Sequence, residues 1–370
     1  MWLRLTSQGP VTSCPHIATP ARRLRAPGGP VVRAGLAMAL GALATPAVQA
    51  LRVEVLTSIG GLPPHITAQF ESPAAFRQGP RGDYFVFDRG GHAVHRVAPD
   101  RSAARKIIGI GQEDGKVIDP TGFDVAEDGR LVVADRPGGR QRIQVFDQEG
   151  LRVGGFILPG QPAARIVIGG AVLNGAGAIQ FAKRELLLSH PESGALITAY
   201  TAAGYSTSVV GRLRSTAYEA DRELHLAMNA GLPLADPTGG YYFVFMAGRP
   251  AFRKYDATGK LLFERLIQGA ELDAFLDAQP TQWPRRVIQD REVPFVAPVV
   301  RAAAVSPSGE LWISLAVPYT YVYDAQGDKT RTLQFRAAGI VGPSSLAFTG
   351  RGTLLVTPGC YEFDPRSSDK

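Results

Sequence analysis

The stretch from Asp119 to Gly160, DPTGFDVAEDGRLVVADRPGGRQRIQVFDQEGLRVGGFILPG, constrains the fold more than any other feature, because the chain keeps returning to it. Three short apolar runs alternate in and out, and each ends at a turn signal. Gly122 to Val125 runs into Glu127-Asp128-Gly129, Arg130 to Asp135 into Pro137-Gly138-Gly139, and Arg142 to Asp147 into Glu149-Gly150. A fourth run, Val153 to Leu158, follows. Asp-Gly and Gly-Gly between alternating runs mark hairpins, because a tight turn needs positive φ. The unit reads as a four-stranded meander of about forty residues.

The second strand of this unit recurs at Asp83 to Asp88, Glu185 to His190, Tyr241 to Met246, Glu310 to Leu315 and Thr353 to Pro358. With the copy at Arg130, the starts lie 47, 55, 56, 69 and 43 residues apart. The third strand recurs as an aromatic-Asp-x-x-Gly ending at Phe146 to Gly150, Tyr255 to Gly259 and Tyr323 to Gly327, with a weaker copy at Tyr200 to Gly204. Such repeats predict an all-β fold, a six-bladed β-propeller of four-stranded antiparallel blades. The last copy stops near Asp364 with no room for a fourth strand. Residues 51 to 60, LRVEVLTSIG, resemble the fourth strands elsewhere. They are expected to complete the last blade and close the ring, which removes exposed edges.

One copy is similar to a known repeat. Pro120-x-Gly122-Phe123-x-Val125-x-x-Asp128-Gly129-x-Leu131-x-Val133-Ala134-Asp135, then Arg142-Ile143-x-Val145-Phe146-Asp147-x-x-Gly150, resembles an NHL repeat of the secreted bacterial type. The match is close there and partial in the other copies. Where that repeat usually carries Gly-Asn before Arg-Ile, this chain has Gly138-Gly139-Arg140-Gln141. No Trp-Asp signature supports a WD40 reading. The resemblance implies a binding platform, with enzymes among a few relatives.

Residues 1 to 50 fall outside the repeats. They hold Arg4, Arg22, Arg23, Arg25 and Arg33, no acidic residue, and an apolar run from Ala34 to Ala44 before Val48-Gln49-Ala50. This pattern predicts a secretory signal cleaved after Ala50. Its apolar run is far short of the roughly 20 residues that span a bilayer, so the mature chain is expected to have no transmembrane segment. The 33 residues before that run are long for a signal; a start codon assigned too far upstream accounts for them, and an organellar transit peptide is the competing reading. The net charge of +7 falls to +2 without the leader, 35 basic against 33 acidic residues, which argues against nucleic acid as a partner. Cys360 is left as the lone thiol and is expected to act as a small buried hydrophobe. The expected organisation is a leader over 1–50, the propeller over 51–365 with a helical insertion over 269–295, and a frayed tail over 366–370.

In a four-stranded blade the second-to-third-strand turns and the blade-to-blade connections share one face, and propeller sites collect there. On that face the sequence places Arg89, His92, Arg136, Arg140, His190, Arg249 and Tyr319 as candidate ligand contacts. Arg89, Arg136 and Arg249 each follow a second strand, so together they are expected to ring the channel mouth and attract anions. His65, His190 and His225 are the alternative, a zinc or calcium site of the kind that the resemblance to peptidyl-amidating lyases implies. No His-x-His or His-Glu-x-x-His spacing supports that alternative, and Asp88 and Asp135 read as turn-capping residues. With no nucleophile motif or phosphate loop present, the chain reads as an exported, non-catalytic binding or scaffold module without cofactor. Its expected ligand is a protein, a peptide or an anionic envelope polymer. The alternative is a metal-dependent lyase or lactonase at the same face.

Overall fold

The computed structural model describes residues 52–158, 165–168, 171–174, 178–288 and 291–367. The expected leader lies outside them. Four meanders of four antiparallel strands occupy 73–108, 122–157, 179–212 and 231–266, each ordered along the sheet as along the chain. The remaining strands of this kind form one eight-stranded sheet, in the order Val300–Val305, Leu311–Leu315, Thr320–Tyr323, Lys329–Arg336, Val53–Gly61, Tyr361–Phe363, Leu354–Thr357 and Ser345–Phe348. The architecture is that of an all-β propeller.

The predicted second strands are present, within a residue of their expected starts, as Tyr84–Asp88, Leu131–Asp135, Glu185–Leu188, Tyr241–Phe245, Leu311–Leu315 and Leu354–Thr357. Their middle residues are apolar on successive positions rather than alternating, because neighbouring sheets cover both faces. Every residue of Tyr84–Asp88 and Leu131–Asp135 is buried. Phe85 and Phe87 pack with Phe123, Leu131 and Val133 of the next sheet, and Val132 packs with Ile179, Phe181 and Leu186 of the one after. Each such side chain contributes about 1.5–3 kcal/mol on burial. The fourth strands face water, and Leu261 and Leu262 stay exposed.

The aromatic-Asp-x-x-Gly ending has a local cause. Asp147 Oδ1 accepts from the amides of Glu149 and Leu151, at 3.0 and 2.8 Å. Asp256 and Asp324 bind the corresponding amides, and the closing glycines Gly150, Gly259 and Gly327 have φ of 86°, 82° and 84°. A carboxylate that takes two turn amides, followed by a residue that tolerates positive φ, fixes the hairpin.

Val53–Gly61 pairs antiparallel with Tyr361–Phe363, as expected for closure, through Ser58–Phe363 and Gly60–Glu362. It also pairs parallel with Lys329–Arg336, from Val53–Thr332 to Thr57–Arg336, which the sequence did not suggest. Cys360 is fully buried, and burial pushes its thiol up to about 12. At the C-terminus Arg366 bonds Asp364 and is exposed; residues 368–370 of the expected tail lie outside the described residues.

The insertion holds more than one helix. Ala270–Asp277 is helical as predicted, but Arg285–Ile288 and Arg291–Val296 then form a hairpin that pairs in parallel with Arg165–Ile168, through Val167–Phe295 and Ile168–Val296. The helix Arg222–Asn229 packs on this small sheet. Its start is set by Asp221, whose Oδ1 accepts from Leu224 N at 3.2 Å. Its packed side is Leu224, Ala227 and Met228, which meet Val296 and Trp283.

Candidate functional site: a central cavity and its loop face

The first strands of the sheets, Pro73–Gln78, Gly122–Val125, Ile179–Ala182, Gly231–Ala235, Val300–Val305 and Ser345–Phe348, each touch the next, and the last touches the first. They surround a cavity of about 440 Å3. Its wall mixes small residues, such as Ala74, Gly122 and Ala302 to Ala304, with large apolar ones such as Phe123, Phe181 and Phe348. Two serines, in or just after a second strand, tie their sheets to the chain at, or just before, the next first strand. Ser189 Oγ, after a second strand, accepts from Gly231 N at 3.2 Å, and the equivalent Ser314 Oγ donates to Pro343 O at 2.9 Å.

At the inner end of the cavity the polar groups are engaged in joining sheets. Arg77 Nε donates to Asp124 Oδ1 at 3.0 Å, and Asp124 Oδ2 accepts from Phe181 N at 2.9 Å. Gln180 Oε1 accepts from Ala235 N at 2.8 Å. Asp124 is the inner-strand carboxylate that the sequence reading did not single out. Both its oxygens are taken, so its role here is positional.

The loop-face end differs. Arg89 follows the strand that ends at Asp88, and Asp88 pairs with Pro73 at the start of its first strand. Arg89 lines the cavity at this end as an exposed side chain, and partial desolvation by the neighbouring protein lowers its pKa. Arg301, at the start of Val300–Val305, enters the same cavity and donates one Nη2 bond to Ala316 O at 2.8 Å. Among the described residues neither arginine has an acidic partner. Arg301 was missed in the sequence. Its signal is a lone arginine opening an inner strand of alanines, Val300-Arg301-Ala302-Ala303-Ala304.

The remaining candidates are dispersed. Arg136 occupies the position equivalent to Arg89, but its Nη2 lies 3.8 Å from Asp119 Oδ2, and His92 Nε2 lies 3.9 Å from the same carboxylate. Arg249 is not equivalent: the second strand of its sheet ends at Phe245, paired with Gly231, so Arg249 lies four residues past its strand where Arg89 and Arg136 lie one past theirs. It lines a separate pocket. The three arginines therefore do not form one ring around the cavity. Arg140 is exposed beyond the turn Pro137–Gly139, and Tyr319 is half-buried against the core under the insertion. His190 is buried 3.8 Å from Glu192, and burial lowers its pKa.

The alternative metal ligands meet different neighbours. His65 Nε2 approaches Ser102 O at 3.4 Å, and His225 Nδ1 bonds Thr216 Oγ1 at 2.8 Å. Among the described residues no three His, Cys, Asp or Glu side chains converge to hold a metal. Asp88 takes the amides of Glu71, Ser72 and Gly91, and Asp135 that of Ile118, so both cap turns as expected.

No family model matches the chain, and no curated protein matches it, so the NHL resemblance rests on the residues of the copy at 120–150. Solved structures do resemble it. A streptogramin B lyase structure aligns over 79% of this chain and 92% of its own, at 12% identity and a TM-score of 0.46. Virginiamycin B lyase from Staphylococcus aureus aligns over 77% of each chain, at 11% identity and a TM-score of 0.48. A protein of unknown function from Bacteroides caccae covers 71% of this chain and 81% of its own, at 11% identity and 0.44.

Proposed function

We propose that the chain is an exported, NHL-like six-bladed propeller that binds rather than catalyses, and that the loop-face end of its central cavity receives an acidic group of a peptide or envelope polymer. The six-blade reading is supported by the six first strands around the cavity and by dividing the eight-stranded sheet where its pairing turns parallel. The observation that carries the function is the pair Arg89 and Arg301. Two exposed guanidinium groups line one small cavity, and neither has an ion-pair partner among the described residues; of the acids that line it, Asp124 is held by Arg77 and Glu127 lies past the far end of its strand. Like charges in a concave, low-dielectric wall focus a positive potential, and a carboxylate that enters relieves their repulsion.

Binding needs no movement of the inner end, where Arg77, Asp124 and Gln180 already bond one another or neighbouring amides. The alternative reading, a metal-dependent lyase or lactonase, requires three converging donors, and the described residues bring none together.

Titration of the protein with poly-L-glutamate at low salt tests this reading. Binding that weakens at least tenfold in Arg89→Ala and Arg301→Ala, and steeply with added salt, is the expected result. Unchanged binding in both variants overturns it. Export is checked separately, by N-terminal sequencing of the protein recovered from outside the cytoplasm; an N-terminus at Leu51 is expected.

A further inference from the structure

A second, larger pocket of about 690 Å3 lies away from the central cavity, between the connection Arg214–Tyr218, the loop Gly248–Ala251 and the insertion that carries Leu276 and Trp283. Its two sides differ in chemistry. Leu276, Pro280 and Trp283 supply an apolar side with Met228 and Leu266, while Arg214 and Arg249 supply a cationic one.

Arg214 is held very firmly, and by neutral groups. Its Nη1 donates to Arg249 O at 2.6 Å, and its Nη2 donates to Met228 O at 2.9 Å and Ala247 O at 2.7 Å. The guanidinium carbon stands 3.9 Å from the Phe245 ring centroid. Gly248 makes room for this arrangement: a Cβ there would meet Met228 Sδ at 2.7 Å and Arg214 Nη2 at 3.3 Å. Of the five N–H donors of a guanidinium, these bonds use three and leave two. Burial drives the Arg214 pKa down to about 10, and the charges of Arg253 and Arg249 add to that, against Glu264.

The local charge balance is positive. Glu264 is the acid lining the pocket, and it is paired with Arg253 Nε at 2.5 Å. Glu219, beside the rim, is already bonded by Ser215 Oγ and Thr216 N. Among the described residues neither Arg214 nor Arg249 has an ion-pair partner. A half-buried cation held by carbonyl dipoles and an aromatic ring, facing an open cavity that Trp283 also lines, is a site for a charge of opposite sign on an apolar body.

We propose that this pocket binds a small organic anion, a carboxylate borne on an aromatic or branched aliphatic body. The carboxylate bonds the remaining donors of Arg214 and the guanidinium of Arg249, and the body lies against Trp283 and Leu276. This site is separate from the central cavity and takes a different ligand.

Calorimetric titration of the full chain with 1-naphthylacetate, and with its neutral isostere 1-naphthylacetamide, tests the proposal. The acid is expected to bind at least tenfold more tightly than the amide. Arg249→Gln alters an exposed side chain and leaves the fold intact, so it is the informative variant; it and Trp283→Ala should each weaken the acid at least tenfold, and Arg249→Gln should leave the amide unchanged. Arg89→Ala should have no effect. Equal binding of acid and amide, no binding of either, or a loss that follows Arg89→Ala instead, overturns the proposal. The channel reading stands or falls on poly-L-glutamate and Arg301, so the two can fail independently.

Discussion

Arg331 joins the N-terminal strand to the body of the propeller by gripping Glu54: Nη2 reaches Oε2 at 2.7 Å while Nε reaches Oε1 at 3.2 Å. Its Nη1 also donates to Pro365 O at 2.9 Å, so one guanidinium holds both ends of the domain. Removing the carboxylate with Glu54→Gln should cost about 1–2 kcal/mol, since the pair is only partly exposed. Beneath it, Leu56 is fully buried with Leu333, Leu354 and Phe363. Leu56→Ala should cost about 2–5 kcal/mol. Denaturant titration measures both, and native-state hydrogen exchange should show 53–61 and 361–363 opening together in Glu54→Gln. Protection unchanged at those amides would refute the clasp.

A buried pair at Asp135 and Arg142 gives a second expectation. Asp135 is fully buried, and its Oδ2 lies 2.6 Å from Arg142 Nη2 and 3.0 Å from Ile118 N. Asp135→Ala strands a buried guanidinium and an amide, and should destabilise by about 3–5 kcal/mol. Arg142→Met should cost about as much alone, yet the double variant should cost clearly less than the sum. Additive losses in the double-mutant cycle would show that the two groups do not depend on each other.

Stability should fall with mild acid. Burial holds the His190 and His95 imidazoles below their ordinary pKa; for His95 the Lys106 charge adds to this and Asp88 opposes it. The unfolded chain titrates near pH 6.5. Just below that pH the unfolded state binds more protons than the folded one, so stability is complete above about 6.5 and is lost as pH falls through the lower folded values. Melting curves between about pH 7 and 5 should show the decline, and His190→Gln with His95→Gln should flatten it. An equally steep decline in the double variant would assign it to other groups.

Thiol chemistry supplies a test of the core. With its pKa pushed up to about 12 by burial, Cys360 should resist iodoacetamide at pH 8 in the native protein and react fully in denaturant. Labelling at Cys360 without denaturant would mean that the last hairpin opens locally.

Much of this was written in the sequence, for a physical reason. Short apolar runs bounded by Asp-capped turns and positive-φ glycines are local signals, and they placed the second strands within a residue and the Asp147, Asp256 and Asp324 turns on their amides. The fate of Asp88 and Asp135 was legible for the same cause: a carboxylate at a strand end has amides within reach. Arg249 was misjudged although residue order already showed it: it lies eight residues after its second strand's expected start, where Arg89 and Arg136 lie six after theirs.

By itself the sequence determined the repeated four-stranded unit, the all-β class and the end-to-end pairing of Val53–Gly61 with Tyr361–Phe363. Each depends on contacts within one unit or on one closing strand. The tertiary structure alone decided that Arg165–Ile168 meets Arg291–Val296, that Arg301 shares a cavity with Arg89, and that Arg214 faces Arg249 across Gly248. Those residues lie on different sheets or on insertions far apart in the chain. Their proximity is set by how whole sheets stack around the axis, and no local periodicity encodes that.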